Sequence, residues 1–160
     1  MKSTKFLVQA ALIGAIYAVL TIAFAPFSYG IMQVRISEAL TILPFFTPAA
    51  IPGLFVGCLL ANIYGGMGLA DIVFGSLATL IAASLSYLVR KYKWLVPFPP
   101  VIVNALIVGT FLYYIFMNDP EMSAPLLVIM GWVGLGQLIA CYGLGYPLML
   151  LLKKYEHIFK

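Results

Sequence analysis

An eleven-residue polar stretch, Ser28-Tyr29-Gly30-Ile31-Met32-Gln33-Val34-Arg35-Ile36-Ser37-Glu38, lies between two runs of nearly pure hydrocarbon. It holds the only arginine of the first half of the chain and one of only two acidic residues before position 119. A charge placed in a bilayer costs about 2.5 to 3.5 kcal/mol even on a lenient insertion scale, so charges in such a setting mark a ligand site or a water-filled cavity unless they are paired. Arg35 and Glu38 stand three positions apart at the apparent start of a helix. One helical turn brings such a pair together, so a local ion pair at headgroup level competes with the ligand site.

Composition settles the class. Hydrophobic residues make up 64% of the 160 and charged residues 9%, with a mean hydropathy of +1.08. That is the balance of an all-α polytopic membrane protein, read as a single integral membrane domain over 1–160, with membrane lipid as its surroundings. The formal charge of +4 is spread over nine basic residues around apolar segments. They form no stripe, which argues against nucleic acid as a partner, and they serve as topology signals instead. Cys58 and Cys141 both fall inside apolar segments and follow no metal-ligand spacing. His157, the single histidine, sits in the basic tail. The chain carries no zinc-binding His-Glu-x-x-His, no Gly-x-Ser-x-Gly elbow and no phosphate loop. These features predict neither an enzyme nor a cofactor, and energy for any pumping has to come from a partner or an ion gradient.

The first apolar segment runs from about Phe6 to Ala25 behind Lys2 and Lys5. Ala23-Phe24-Ala25 mimics a signal cleavage site, but the apolar run exceeds the usual signal core, so it reads as a retained span. From Ile36 to Gly65 the chain has room for one long helix or two short ones, and Pro44, Pro48 and Pro52 require a break near Phe45 to Thr47. Charge parity chooses two. Only then do Lys2 and Lys5, Arg90, Lys91 and Lys93, and Lys153, Lys154 and Lys160 all lie on the cytoplasmic side. The expectation is a six-transmembrane-helix bundle with N and C termini cytoplasmic, spans at 6–26, 37–47, 49–64, 69–89, 98–117 and 124–152, and helices 2 and 3 short.

That topology gathers Gln33, Arg35, Glu38, Asn62, Tyr64, Asp71 and Trp132 at the outer end as candidate binding residues. Some of them have a plainer role as alternative. Asp71 opens the fourth helix, where a carboxylate suits the positive helix terminus, and Asn62 and Tyr64 are suited to anchoring at the interface. Asn104 and Gln137 lie deeper and read as links between helices. Gly65, Gly66 and Gly68 predict a tight or flexible third connection, and Gly131, Gly134, Gly136, Gly143 and Gly145 predict close contact or a kink in the sixth span. In the first span, Ala11, Ala15 and Ala18 follow helical spacing with Ala10 and Gly14 beside them, a face for close packing within the chain or against a partner.

The run Gly30 to Phe46, GIMQVRISEALTILPFF, resembles the signature of the QueT family, predicted queuosine-precursor transporters that act as substrate-binding S components of energy-coupling factor systems. The likeness covers nearly the whole chain and is most specific from Gln33 to Pro44; Ile31 departs from it, standing where the family has a proline. It implies a subunit that takes a small-molecule queuosine precursor from outside, a 7-deazaguanine or queuine. It also implies a shared membrane-embedded T component and two cytoplasmic ATPase subunits as partners. Ala11 and Ala15 match the alanine-x-x-x-alanine pattern for docking on that T component. A guanine-like ring offers a donor pair beside a carbonyl, so Glu38 or Asp71 suits the donors, Gln33 or Arg35 the carbonyl, and Tyr64 or Trp132 the ring face. The alternatives are an S component for another vitamin or nucleobase, a self-contained oligomeric channel or secondary transporter, and a small membrane enzyme built on Arg35, Glu38 and Asp71.

Overall fold

The computed structural model describes residues 2–29 and 33–159, with side chains over 4–29 and 33–159. Gly30, Ile31 and Met32 of the polar stretch, and Lys160 of the basic tail, lie outside the described residues. The elements in order are α1 (Lys2–Ala23), α2 (Ala25–Ser28), a 3-10 helix (Ile36–Phe45), α3 (Ala50–Gly65), α4 (Leu69–Leu88), α5 (Phe98–Phe116), α6 (Leu126–Leu138), a π-helical segment (Ile139–Gly145) and α7 (Tyr146–Lys153). Short 3-10 turns occupy Lys93–Leu95 and Glu156–Ile158. Four stretches among the described residues, Thr4–Ala23, Leu69–Leu88, Lys93–Phe116 and Leu126–Lys153, are long and apolar enough to cross a membrane; Ile36–Phe45 and Ala50–Gly65 are apolar but shorter.

The contact between α1 and α3 sets the arrangement. A Cβ on Gly53 would lie 2.7 Å from the Ala10 carbonyl oxygen, and one on Gly57 would lie 2.6 Å from the Gly14 carbonyl oxygen. The two helices therefore touch backbone to backbone, as small residues permit in lipid. Residues 10 and 14 meet 53 and 57 in ascending order, so α1 and α3 run parallel. The 3-10 helix returns between them. Ser37 meets Thr21, Glu38 meets Tyr17, and Thr47 at the far end meets Gln9. Gln9 also donates to the Phe159 carbonyl at 3.5 Å, which holds the end of α1 carrying the N-terminus close to the C-terminal turn.

The second helical stretch was expected as 37–47, and it is a 3-10 helix over Ile36–Phe45. Ten residues is long for this form, which rarely exceeds three or four. Its rise of about 2.0 Å per residue carries ten residues over about 20 Å, against about 15 Å for an α-helix. Seven of its ten residues are buried, from Ser37 through Pro44 with only Leu40 excepted, so it threads the interior and does not lie on the surface. The break falls at Phe46–Ala49, next to Pro44 and Pro48. Pro52 sits in the first turn of α3, where its missing N–H costs nothing.

Helices α4, α5 and α6 complete the bundle by antiparallel packing. Asn62 and Cys58 on α3 meet Asp71 and Thr79 on α4, and Gly109 on α5 meets Met130 on α6. Gly66, left-handed at φ 68, caps α3 and turns the chain toward α4. Beyond α6 the helix widens into the π segment. Pro147 lacks the N–H that would bond to residue 143 in an α-helix, and the Tyr146 N–H reaches back to the Cys141 carbonyl. The two irregular helices pack on each other, with a Cβ on Gly145 placed 3.1 Å from the Ala39 carbonyl oxygen. The outside carries large exposed apolar residues on every long helix, among them Leu7, Leu88, Leu106 and Leu127.

The backbone contact makes a test of the packing. Ala is favoured over Gly in a helix by about 0.8 to 1.0 kcal/mol, so Gly131→Ala, with nothing within 4 Å of the added Cβ, is expected to be neutral or stabilising. Gly57→Ala drives a methyl into the α1 backbone and is expected to cost about 1 to 3 kcal/mol net. Thermal unfolding of both variants in detergent checks the opposite signs.

Candidate functional site

Buried polar side chains enter the bundle interior from α1, the stretch leading into the 3-10 helix, α3 and α4, with others from α5, α6 and the π segment. From α1, Tyr17 and Thr21 project inward one turn apart, both fully buried. The Tyr17 hydroxyl donates to Glu38 Oε1. Thr21 Oγ1 donates to the Tyr17 carbonyl at 2.9 Å and lies 2.6 Å from Ser37 Oγ. The segment before the 3-10 helix contributes Gln33 and Arg35. Gln33 holds a positive φ of 40, unusual for a residue with a side chain, while its carbonyl accepts from the Arg35 N–H at 2.8 Å. Strain of this kind tends to persist where function requires it.

Arg35 and Glu38 do not pair. Arg35 stands just before the helix in an extended conformation, φ −77 and ψ 108, and its carbonyl accepts from the Glu38 N–H at 3.0 Å, so the first turn joins the two backbones but not the two side chains. Its guanidinium runs the other way. Nε donates to the Ser28 carbonyl at 3.2 Å, Nη1 lies 3.8 Å from Cys58 Sγ, and the group sits 5.6 Å from the centre of the Tyr29 ring. The Tyr29 hydroxyl is itself held by the Ala61 carbonyl at 2.5 Å.

From α3, Cys58 and Asn62 face α4. Asn62 Nδ2 donates to the Asp71 carbonyl at 3.2 Å and lies 3.5 Å from Cys58 Sγ, in space that exists because Gly75 has no side chain; a Cβ there would sit 2.6 Å from the amide nitrogen. From α4, Thr79 donates to Cys58 Sγ at 3.2 Å. Asp71 makes no capping bond although it lies in the first turn of α4. On the opposite wall, Asn104 adjoins the Glu38 carboxylate, and Cys141 bridges Gln137 Oε1 at 3.5 Å and the Glu38 carbonyl at 3.7 Å.

What remains unpaired defines the site. Gln33 Nε2, Glu38 Oε2, Asn62 Oδ1, both oxygens of the Asp71 carboxylate and Ser76 Oγ are buried without a hydrogen-bond partner. Each of these five residues is at most 2% exposed. A buried polar atom without a partner costs about 1 to 3 kcal/mol, more when charged, and native interiors contain few. Four of the six atoms accept only, one donates only, and the Ser76 hydroxyl does either. The cluster also contains one guanidinium against two carboxylates. Acceptors therefore outnumber donors among the unpaired atoms, an imbalance that N–H donors relieve.

Of the residues expected at the site, Gln33, Arg35, Glu38, Asn62 and Asp71 are all buried, with Arg35 against Cys58 and Cys58 in turn beside Asn62. Tyr64 and Trp132 are 64% and 43% exposed, and no hydrogen bond of the cluster involves them. Tyr17 and Thr21 beside Glu38 and Ser37, and Cys58 and Thr79 beside Asn62, are buried polar residues that the sequence does not single out for binding. Their signal was polarity at helical spacing inside apolar spans, Tyr17 with Thr21 and Asp71 with Thr79. A separate concavity of about 660 Å³ between α4 and α5 is lined by apolar and aromatic side chains with Thr110, Phe74 and Tyr114 among them, and holds none of the unpaired atoms.

Comparison with known proteins adds the family. The family model described as QueT transporter matches residues 7–154. The "Queuosine precursor transporter QueT" of Lactococcus lactis subsp. cremoris (strain MG1363) is 33% identical over 103 residues, which span 59% of this chain and 60% of that relative. No solved structure matches the chain. The family match runs from α1 to α7 and takes in every residue of the buried cluster. The chain is a multi-pass protein of the cell membrane and belongs to the QueT transporter family.

Proposed function

We propose that the chain is the substrate-binding membrane subunit of an importer for a queuosine precursor, and that the unpaired polar cluster is where the precursor binds. The observation that carries this reading is the mismatch between acceptors and donors at Glu38, Asn62, Asp71 and Gln33. A 7-deazaguanine supplies what is missing: an amine and a ring N–H on one edge, a further ring N–H, and a carbonyl for the Gln33 amide. Asp71, with both oxygens unpaired, suits a two-donor edge. In the aminomethyl form the ligand adds a cation, which the surplus carboxylate favours. The name of the Lactococcus relative supports the same substrate class.

Energy is supplied from outside the chain in this reading, by a T component and two ATPases, since the sequence contains no phosphate loop. Support for docking comes from α1. Ala10 and Gly14 face α3 within the monomer, whereas Ala11 and Ala15 face outward among Leu12 and Ile16, leaving a smooth strip for a partner helix. The three basic groups lie on the cytoplasmic side with both termini, and the chain crosses six times, the 3-10 helix and α3 being the two short crossings.

The reading is tested first by thermal stabilisation of the purified protein with guanine, the cyano and aminomethyl deazaguanines, queuine, riboflavin and thiamine. A ligand of the folded state raises the midpoint with the logarithm of its concentration over Kd. A shift confined to deazaguanines is expected; a shift with a vitamin alone overturns the substrate.

Asp71→Asn is expected to move stability and binding in opposite directions. It removes a buried carboxylate charge that has no hydrogen-bond partner, so the empty protein gains about 1 to 3 kcal/mol, while ligand affinity falls by about tenfold or more. Melting curves and calorimetric titration check the two signs.

Ala11→Leu with Ala15→Leu is expected to leave ligand binding by the isolated subunit unchanged and to reduce uptake, in cells carrying the T component and ATPases, to the level without the subunit. Uptake assays with radiolabelled precursor beside titration of the purified variant decide this.

A further inference from the structure

Glu38 and Asp71 differ in how they meet a ligand, and the difference is set by a residue on another helix. Asp71 has both carboxylate oxygens unpaired. Glu38 has one, Oε2, because Oε1 accepts from the Tyr17 hydroxyl. Tyr17 is fully buried, and its position is fixed from three sides. Gly57 lets α3 approach its Cβ, its carbonyl accepts from Thr21 at 2.9 Å, and Thr21 in turn lies 2.6 Å from Ser37, the neighbour of Glu38. The Tyr17 side chain is packed in the buried core with Ile13, Ile42, Leu54 and Cys58, which holds the ring beside Glu38.

We propose that Tyr17 is a positioning residue for substrate recognition: it engages Glu38 Oε1 and so aims Oε2 at the ligand as a single acceptor, leaving the two-donor edge of the ligand to Asp71. The inference rests on the functional reading above. A carboxylate pinned at one oxygen keeps one orientation, and the ordering cost that a freely rotating Glu38 would incur on binding is met in the fold. Because the hydrogen bond goes to the carboxylate and not to the ligand, Tyr17 acts only through Glu38. That dependence separates it from a residue that merely fills space.

The test is a double-mutant cycle on the full chain in detergent, with the aminomethyl deazaguanine as probe in isothermal titration, and a melting curve for each variant. Tyr17→Phe is expected to weaken binding about tenfold in the wild-type background, and to change it less than about twofold when Glu38 is already Gln. Tyr17→His keeps a donor on a ring and is expected to recover part of the loss; compared with Tyr17→Leu, it gives the same reading if the Phe variant does not fold. An equal loss in both backgrounds assigns Tyr17 a structural role and overturns the inference, as does an unchanged Kd for a folded Tyr17→Phe. If the wild-type chain binds none of the deazaguanines, the functional reading fails and this inference with it, whereas binding by the wild type with an additive cycle sinks the inference alone.

Discussion

The backbone contact of α1 with α3 at Gly14, Gly53 and Gly57 is the constraint from which the remaining geometry follows. Two helices packed in parallel need the chain between them to return the full height of the pair, and here only the residues from Ala25 to Ala49 are available for the turns and the return. An α-helix of ten residues covers about 15 Å, while α3 alone is about 24 Å long. Overwinding to a 3-10 helix lengthens the return to about 20 Å, and Pro44 with the Thr41 side chain bonded back to the Glu38 carbonyl at 2.6 Å suits the irregular form. The return passes through the middle of the bundle, and so its polar residues are carried inside.

Once inside, those residues are treated unequally. Arg35 finds a carbonyl, a thiol and an aromatic ring. The acceptors of Glu38, Asn62 and Asp71 find fewer partners than they can use. In water such a deficit is made up by solvent; in a protein interior surrounded by lipid it persists. Direct pairing of Arg35 with a carboxylate would remove part of it, and the chain forgoes that by holding Arg35 extended and aiming it at Ser28 and Cys58. A fold that keeps acceptors free at this cost, next to a backbone held at φ 40 in Gln33, carries unmet hydrogen-bonding capacity and local strain in its interior.

The sequence makes the polar half of this arrangement legible because polarity is rare in hydrocarbon. Gln33, Arg35, Glu38, Asn62 and Asp71 stand out against apolar neighbours, and all five are buried. The same logic misses Tyr17 and Thr21, since a tyrosine and a threonine in an apolar span are ordinary and their depth depends on which face of α1 meets α3. It also gives no direction to Tyr64 and Trp132, whose exposure follows from the rotation of α3 and α6 about their axes. The positions of the breaks are readable from Pro44, Pro48 and Gly66. The overwinding of Ile36–Phe45 is not, because a segment buried nearly all round has no periodicity to distinguish a 3-10 from an α-helix. The separation of Arg35 from Glu38 is unreadable for a related reason: the helix start falls between them as the sequence suggests, and which way the Arg35 side chain leaves that start is set by Ser28 and Cys58, partners on other segments.

Helix α1 shows how one ambiguity of the sequence is divided by geometry. Ala10, Gly14, Tyr17 and Thr21 recur at intervals of four, three and four residues, the period of one helix face, and all four belong to the contact with α3 and the 3-10 helix. Ala11 and Ala15 follow the same period one residue later and are exposed. Small residues on the first face are required by backbone contact, since any Cβ on Gly53 or Gly57 overlaps α1. Nothing within the monomer requires them on the second, where the neighbours Leu7, Leu12, Ile16 and Val19 are large. Exposed alanines between large residues leave a depression along α1 that the monomer does not fill. The helix that fixes Glu38 from one side thus presents its smoothest surface on the other.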